Sequence, residues 1–102
     1  IKLLNEVLKG DAHNFYAHLF LGYAYLRKRQ YYIAKRHLTK GIQSNPNYFD
    51  LYFYRAHVYY KLKSYYAAER DLNIALRLEP RHRKARLLQS LIRRNRRRGY
   101  GF

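Results

Sequence analysis

Apolar residues recur along this chain at three- and four-residue steps, the period of one helix face, through residues 1–9, 15–28, 32–44, 49–62, 66–78 and 83–97. Helix breakers separate these runs: Gly10-Asp11, Arg29-Gln30, Asn45-Pro46-Asn47, Lys63-Ser64 and Pro80. No stretch alternates with the period of two that a half-buried strand requires. The pattern predicts six helices and an all-α fold.

The pattern also repeats itself. Pro46 and Pro80 stand 34 residues apart, as do Ala34 and Ala68, Tyr25 and Tyr59, Tyr31 and Tyr65, and Leu38 and Leu72. At the same offset Ile42 meets Leu76, Gly22 meets Ala56 and Gly41 meets Ala75. A fixed period in the range of about 20–50 residues marks stacked helical or β units, each too small to bury its apolar face alone. Two helices packed closely need small residues where their backbones approach, and Gly22, Ala34, Gly41, Ala56, Ala68 and Ala75 supply them. Proline cannot continue a helix, because it lacks the N–H and its ring clashes with the preceding turn. Pro46 and Pro80 therefore end each second helix.

On these residues the chain resembles two tetratricopeptide repeats, at 15–48 and 49–82. The resemblance implies a right-handed superhelical stack of antiparallel helix hairpins. Residues 1–14 resemble the second helix of a preceding repeat, with Leu4, Val7 and Leu8 on its packing side. The chain opens on Ile1 inside that helix, so an upstream unit is expected to cover it. Residues 83–98 resemble a capping helix packed through Ala85, Leu88 and Ile92, followed by a flexible tail over 99–102. Early in the first helix of a repeat the family carries a large aromatic residue. Tyr52 fits, His18 fits less well and Arg86 departs from the pattern.

In this family the first helices line a concave groove that takes extended or helical peptides. Carried onto this sequence, the groove positions are Tyr16, Leu19, Phe20, Tyr23, Leu26 and Arg27. The next helix contributes Asp50, Phe53, Tyr54, His57, Tyr60 and Lys61, and the last contributes Lys84, Leu87, Leu88, Leu91 and Arg94. The expected surface is aromatic with a basic rim. Co-chaperones of the family grip an acidic C-terminal peptide with a carboxylate clamp: a Lys and an Asn, then an Asn, then a Lys and an Arg. The matching positions read Leu19, Tyr23, Tyr54, Lys84 and Leu88, and only Lys84 agrees. An Hsp-type clamp is therefore not expected. Some repeats of the family also pair an Arg in the first helix with an acid in the second. That implies a structural Arg55–Asp71 bridge, with Arg55→Met tolerated and loss of Asp71 stranding a cation.

Charge adds a second candidate surface. The 102 residues carry 22 Lys and Arg against 6 Asp and Glu, a formal net charge of +16. Arg81, Arg83, Lys84 and Arg86 precede the last apolar stripe, and Arg93, Arg94, Arg96, Arg97 and Arg98 follow it, with no acid after Glu79. A field of this sign attracts acidic proteins or nucleic acid. Arginine forks bind carboxylate or phosphate, although cations at a helix C-terminus also simply complement its dipole.

With no cysteine, thiol catalysis and disulfides are excluded. The histidines show no ligand spacing with carboxylates, and no phosphate-cradling glycine loop or nucleophile–base constellation occurs, so no metal, cofactor or enzymatic activity is expected. No apolar run approaches the ~20 residues of a membrane span. Nothing in the composition favours secretion, and an intracellular location is expected. The sequence reads as a non-catalytic scaffold that binds a peptide or acidic protein within a larger complex. The competing reading is an RNA-contacting subunit of a ribonucleoprotein or ribosome-associated assembly.

Overall fold

The computed structural model describes residues 1–99, and side chains as far as Arg97. Six helices follow one another: α1 (Lys2–Gly10), α2 (Phe15–Arg27), α3 (Tyr31–Ser44), α4 (Phe49–Lys61), α5 (Tyr65–Leu78) and α6 (Arg83–Gly99). No strand occurs among the described residues. The helix bounds fall within a residue or two of the predicted runs. The tail expected over 99–102 begins as helix at Gly99 and otherwise lies outside the described residues.

Helices α2 and α3 form one hairpin and α4 and α5 the next, with α3 packing on α4 and α5 on α6. The small residues of the repeat sit where this packing demands them. Ala34, Ala56, Ala68 and Ala75 are fully buried. A Cβ added at Gly22 would come within 2.5 Å of Leu38, and one at Gly41 within 2.5 Å of Leu51 Cδ2. The helices approach too closely there, α2 on α3 and α3 on α4, for any side chain to be added without movement. Leu21, Leu38, Leu51, Leu72, Val58 and Ile92 fill the interior between them.

Each hairpin turns through a left-handed residue, Arg29 at φ 62° and Lys63 at φ 61°, again 34 apart. The next N–H closes back onto the helix, Gln30 onto Tyr25 O and Ser64 onto Tyr59 O at 2.9 Å each. This αL closure satisfies carbonyls that a helix end leaves open. At helix starts, Asn14 accepts from Ala17 N–H at 3.0 Å and His82 Nδ1 accepts from Ala85 N–H at 3.2 Å.

The position that carries His18, Tyr52 and Arg86 does one job in all three units. His18 Nε2 donates to Ala12 O at 2.8 Å, Tyr52 Oη to Pro46 O at 2.6 Å, and Arg86 Nε to Pro80 O at 3.0 Å. Each side chain reaches six residues back and fastens the turn that leads into its helix. Arg86, which departs from the aromatic pattern, keeps the bond because a long donor can replace a ring hydroxyl.

The expected Arg55–Asp71 pair is present and bidentate, Nε to Oδ2 at 2.6 Å and Nη2 to Oδ1 at 2.7 Å. Arg55 Nη1 also donates to Thr39 at 3.2 Å, so one guanidinium ties α3, α4 and α5 together. Burial works against the Arg55 charge, but the bond and field of Asp71 outweigh it and hold the pKa above its ordinary value. Helix α1 buries no residue, and Ile1, Leu3 and Val7 stay exposed.

Candidate functional site

The inner sides of α2, α4 and α6, with the α2–α3 turn, enclose an open groove of about 860 Å³. Tyr23, Leu26, Phe53, Tyr54, Leu87, Leu88 and Leu91 give it an apolar lining, to which Tyr31 adds. Arg27, Arg29, Lys61 and Lys84 stand among the lining residues, and no carboxylate does. The helical period explains the gathering. Tyr23 and Arg27 lie four apart on α2, Phe53, His57 and Lys61 four apart on α4, and Lys84, Leu88 and Leu91 on α6, so each set shares one helix side.

Contacts between the rings fix their orientation. Tyr23 and Tyr54 lie 5.1 Å apart between centroids, bridging α2 and α4. His57 stands edge-on to Phe53 at 4.8 Å and 88°. Arg27 leans back over the Tyr23 ring, 6.0 Å from its centroid. Burial lowers the His57 pKa, helped by the Lys61 charge, so the imidazole is neutral at neutral pH. Burial also raises the Tyr54 pKa, with Asp50 and Tyr23 adding to the effect. The floor is thus uncharged and the cations stand at the rim.

Eleven of the seventeen predicted groove positions line this cavity: Tyr23, Leu26, Arg27, Phe53, Tyr54, His57, Lys61, Lys84, Leu87, Leu88 and Leu91. Six do not. Asp50 lies in a separate depression with Tyr48 and Glu79, and Arg94 in a shallow one further along α6. Leu19 packs in the core with Ala34, Leu38 and Leu51 and does not reach the cavity. Tyr60 turns toward α6, where its hydroxyl accepts from Asn95 Nδ2 at 2.7 Å, and its ring packs near Tyr65. Tyr16 and Phe20 are half-exposed on earlier turns of α2. Tyr16 stacks edge-on with Tyr48 at 5.8 Å, outside the cavity. Arg29 and Tyr31 line the groove without having been predicted. Arg29 belongs to the hairpin turn and Tyr31 opens α3, both outside the first helices to which the groove was assigned.

The basic patch is not one surface. Arg93 and Arg96 both face Glu69 of α5, Arg93 at 3.5 Å and Arg96 more closely. Arg86 is held by Pro80 O, and Arg81 lies in the loop beside Glu79 and His82. Arg83 is exposed at the start of α6. Only Arg94 and Arg97 continue the groove, in a shallow depression with Leu87, Ser90 and Leu91. The Arg98 side chain lies outside the described residues. Four-residue winding spreads a cluster of arginines around α6, whereas the sequence alone shows them as a run.

A second polar pair lies inside the first hairpin. His18 Nδ1 and His37 Nδ1 are 3.1 Å apart, and His37 stacks on Tyr25 at 5.8 Å and 3°. The bond from His18 Nε2–H to Ala12 O leaves Nδ1 as the acceptor, so His37 Nδ1–H donates. Burial first, then the charges of His18, Arg36 and Lys40, lower the His37 pKa to about 4. The position is legible in hindsight, since His37 stands 34 residues before Asp71, the polar member of the next hairpin. Among the described residues no group of three or more metal-ligating side chains gathers, and no helix is long and apolar enough to cross a membrane.

The architecture defines a class: an all-α stack of antiparallel hairpins repeating every 34 residues around an inner groove. No known family model matches the sequence, and no curated protein matches it. Solved structures do resemble it. The first tetratricopeptide domain of Spaghetti (RPAP3), bound to the HSP90 peptide SRMEEVD, superposes with a TM-score of 0.88 at 21% identity, over 90% of this chain and 73% of that one. The Arabidopsis OM64 tetratricopeptide domain gives 0.88 at 22% identity, over 91% and 77%. The second such domain of human RPAP3, in complex with the HSP70 peptide SGPTIEEVD, gives 0.86 at 23% identity, over 90% and 77%. The protein has the tetratricopeptide-repeat fold.

Proposed function

We propose that this protein is a non-catalytic scaffold whose inner groove binds an acidic peptide or protein segment within a larger complex. The observation that carries the reading is the composition of the groove. It pairs an aromatic and leucine floor with four rim cations and has no lining carboxylate. Large rigid aromatics contribute contact area at low entropic cost, and the cations select a partner of opposite charge. Two structural neighbours are held with peptides that end in acidic residues, which supports a peptide as the occupant.

The segment it takes differs from a chaperone tail. Leu19 and Leu88 occupy clamp positions but are buried, and Tyr23 and Tyr54 place rings where the clamp has amides. Recognition then rests on side chains of the bound segment, apolar ones on the floor and acidic ones at the rim. Arg94 and Arg97 extend the same strip along α6.

The test is calorimetric titration with a panel of acidic amphipathic peptides. Tyr23→Ala should weaken binding about tenfold or more, as loss of an interface aromatic anchor does. Lys84→Glu should weaken it and flatten its dependence on salt. Binding that survives both changes would remove the groove from consideration.

A further inference from the structure

The 34-residue repeat extends to positions that packing does not explain. Tyr32 and Tyr66 stand one repeat apart near the start of the second helices, and Arg36 and Arg70 follow each by four residues. Tyr32 is 70% exposed and Tyr66 65%, and both arginines are exposed. On α3 these residues lie on the side away from Ala34 and Leu38, and on α5 on the side away from Ala68 and Leu72. Solvent tolerates almost any polar residue at such sites. Two large aromatics, each with an arginine one turn on, therefore call for a reason outside the core.

The surroundings say what would bind. Lys35 Nζ lies 5.4 Å from the Tyr32 ring centroid, and the Arg96 guanidinium lies 5.2 Å from that of Tyr66, so each ring is flanked by a cation. Helix α3 has no acid. The acids of α5 are committed inward, Asp71 to Arg55 and Glu69 to Arg93 and Arg96. The face is basic: Arg36, Lys40, Arg70 and Arg77 stand exposed on it, and its neighbouring acid Glu69 is taken up by Arg93 and Arg96. The other outward residues of the stripe, Lys40 and Gln43 on α3 and Asn73 and Arg77 on α5, are polar. A protein interface would need an apolar centre around its aromatic anchors, and this stripe lacks one. Exposed aromatic platforms among cations suit a polyanion that brings its own flat π faces.

We propose that the outer face of α3 and α5 binds single-stranded nucleic acid. Tyr32 and Tyr66 stack bases, and Arg36 and Arg70 hold the flanking phosphates. The face lies across the hairpins from the groove, so a bound strand leaves the groove open, and one chain can hold a peptide segment and a strand together.

The experiment is fluorescence anisotropy with labelled oligoadenylate, in ribose and deoxyribose forms and as the matching duplex, over a range of salt. Single strands should bind more tightly than duplex, and whichever sugar form binds better assigns the source. Tyr32→Ala/Tyr66→Ala should weaken single-strand binding about tenfold or more. Tyr32→Leu/Tyr66→Leu, which keeps bulk without a π face, should do the same. Arg36→Gln/Arg70→Gln should lower the slope of log K against log salt by about 1.4, two phosphates' worth for a single strand. All are surface changes and should leave the thermal melt nearly unmoved. Three results would overturn the proposal. One is equal binding of duplex and single strand with the tyrosine variants unaffected. Another is loss of binding on Arg94→Gln/Arg97→Gln in place of the outer-face changes. The third is tyrosine-dependent binding of polyglutamate as tight as that of the oligonucleotide.

Discussion

His37 donates its Nδ1 proton to His18 Nδ1 across the first hairpin, at 3.1 Å, while His18 is itself anchored on Ala12 O. The pair has a consequence for stability. The His37 pKa lies at about 4 in the fold, against about 6.5 in an unfolded chain. A base with a depressed folded pKa stays neutral in the native state while the unfolded chain takes up a proton. Its contribution is therefore fully present above pH ~6.5 and is lost as the pH falls toward 4. Urea melts should show the wild type losing about 1–2 kcal/mol across that window relative to His37→Gln, less than the full shift implies because solvent screens the partly exposed ring. Parallel curves for the two proteins would refute this account.

The Arg55–Asp71 fork joins partners of unequal exposure, and this reverses the expectation from sequence. The Asp71 side chain is 2% exposed and that of Arg55 is 17%. Arg55→Met strands a carboxylate with no route to water and should cost about 3–5 kcal/mol. Asp71→Asn leaves a guanidinium that keeps Thr39 and lies 5.9 Å from the Tyr59 ring, and should cost less, about 1–3 kcal/mol. The double change Arg55→Met/Asp71→Leu should return to within about 1 kcal/mol of wild type. A double mutant as unstable as Arg55→Met alone would show that Thr39, and not charge pairing, dominates the site.

The fold was legible because packing acts at a fixed period. Every small residue singled out by the 34-residue offset, from Gly22 to Ala75, is buried where helices meet. The groove was legible in part, for the same reason. Positions four apart share a helix side, so Tyr23 with Arg27 and Phe53 with His57 and Lys61 emerged together. Leu19 was misplaced because it stands at the boundary between the inner side and the core, where a helical wheel cannot say which neighbour covers it. Tyr60 was misplaced because Asn95, 35 residues away, draws its hydroxyl toward α6. The His18–His37 contact was missed because each residue alone looks like an ordinary helix position. Only the turn between them brings the two rings together, tilted by 34° with their Nδ1 atoms in contact.

The glycines separate close approach from open space. Gly22→Ala drives a methyl into Leu38 and should destabilise by about 1–3 kcal/mol. Gly10→Ala meets nothing within 4 Å at the end of α1 and should stabilise slightly, by about 0.4–1 kcal/mol. The equivalent of Gly22 in the next hairpin is Ala56, so the second hairpin already accommodates a methyl at this place. Denaturant melts of the two variants should move in opposite directions, and movement in the same direction would contradict the packing.

The two αL turns allow a gain without touching the groove floor. Lys63 holds φ 61°, a conformation that costs an L-residue roughly 1 kcal/mol and costs glycine almost nothing. Lys63→Gly should raise stability by up to about 1 kcal/mol, the greater flexibility of the unfolded glycine taking back part of the gain. Arg29 holds the same conformation but lines the groove, so Arg29→Gly should stabilise the fold to a similar extent while weakening an acidic ligand. That contrast distinguishes turn from site. If Arg29→Gly left peptide affinity unchanged, the rim charge would reduce to Arg27, Lys61 and Lys84. If Lys63→Gly weakened the peptide as well, the second turn, which does not line the groove, would have to reach the ligand by a route the fold does not provide.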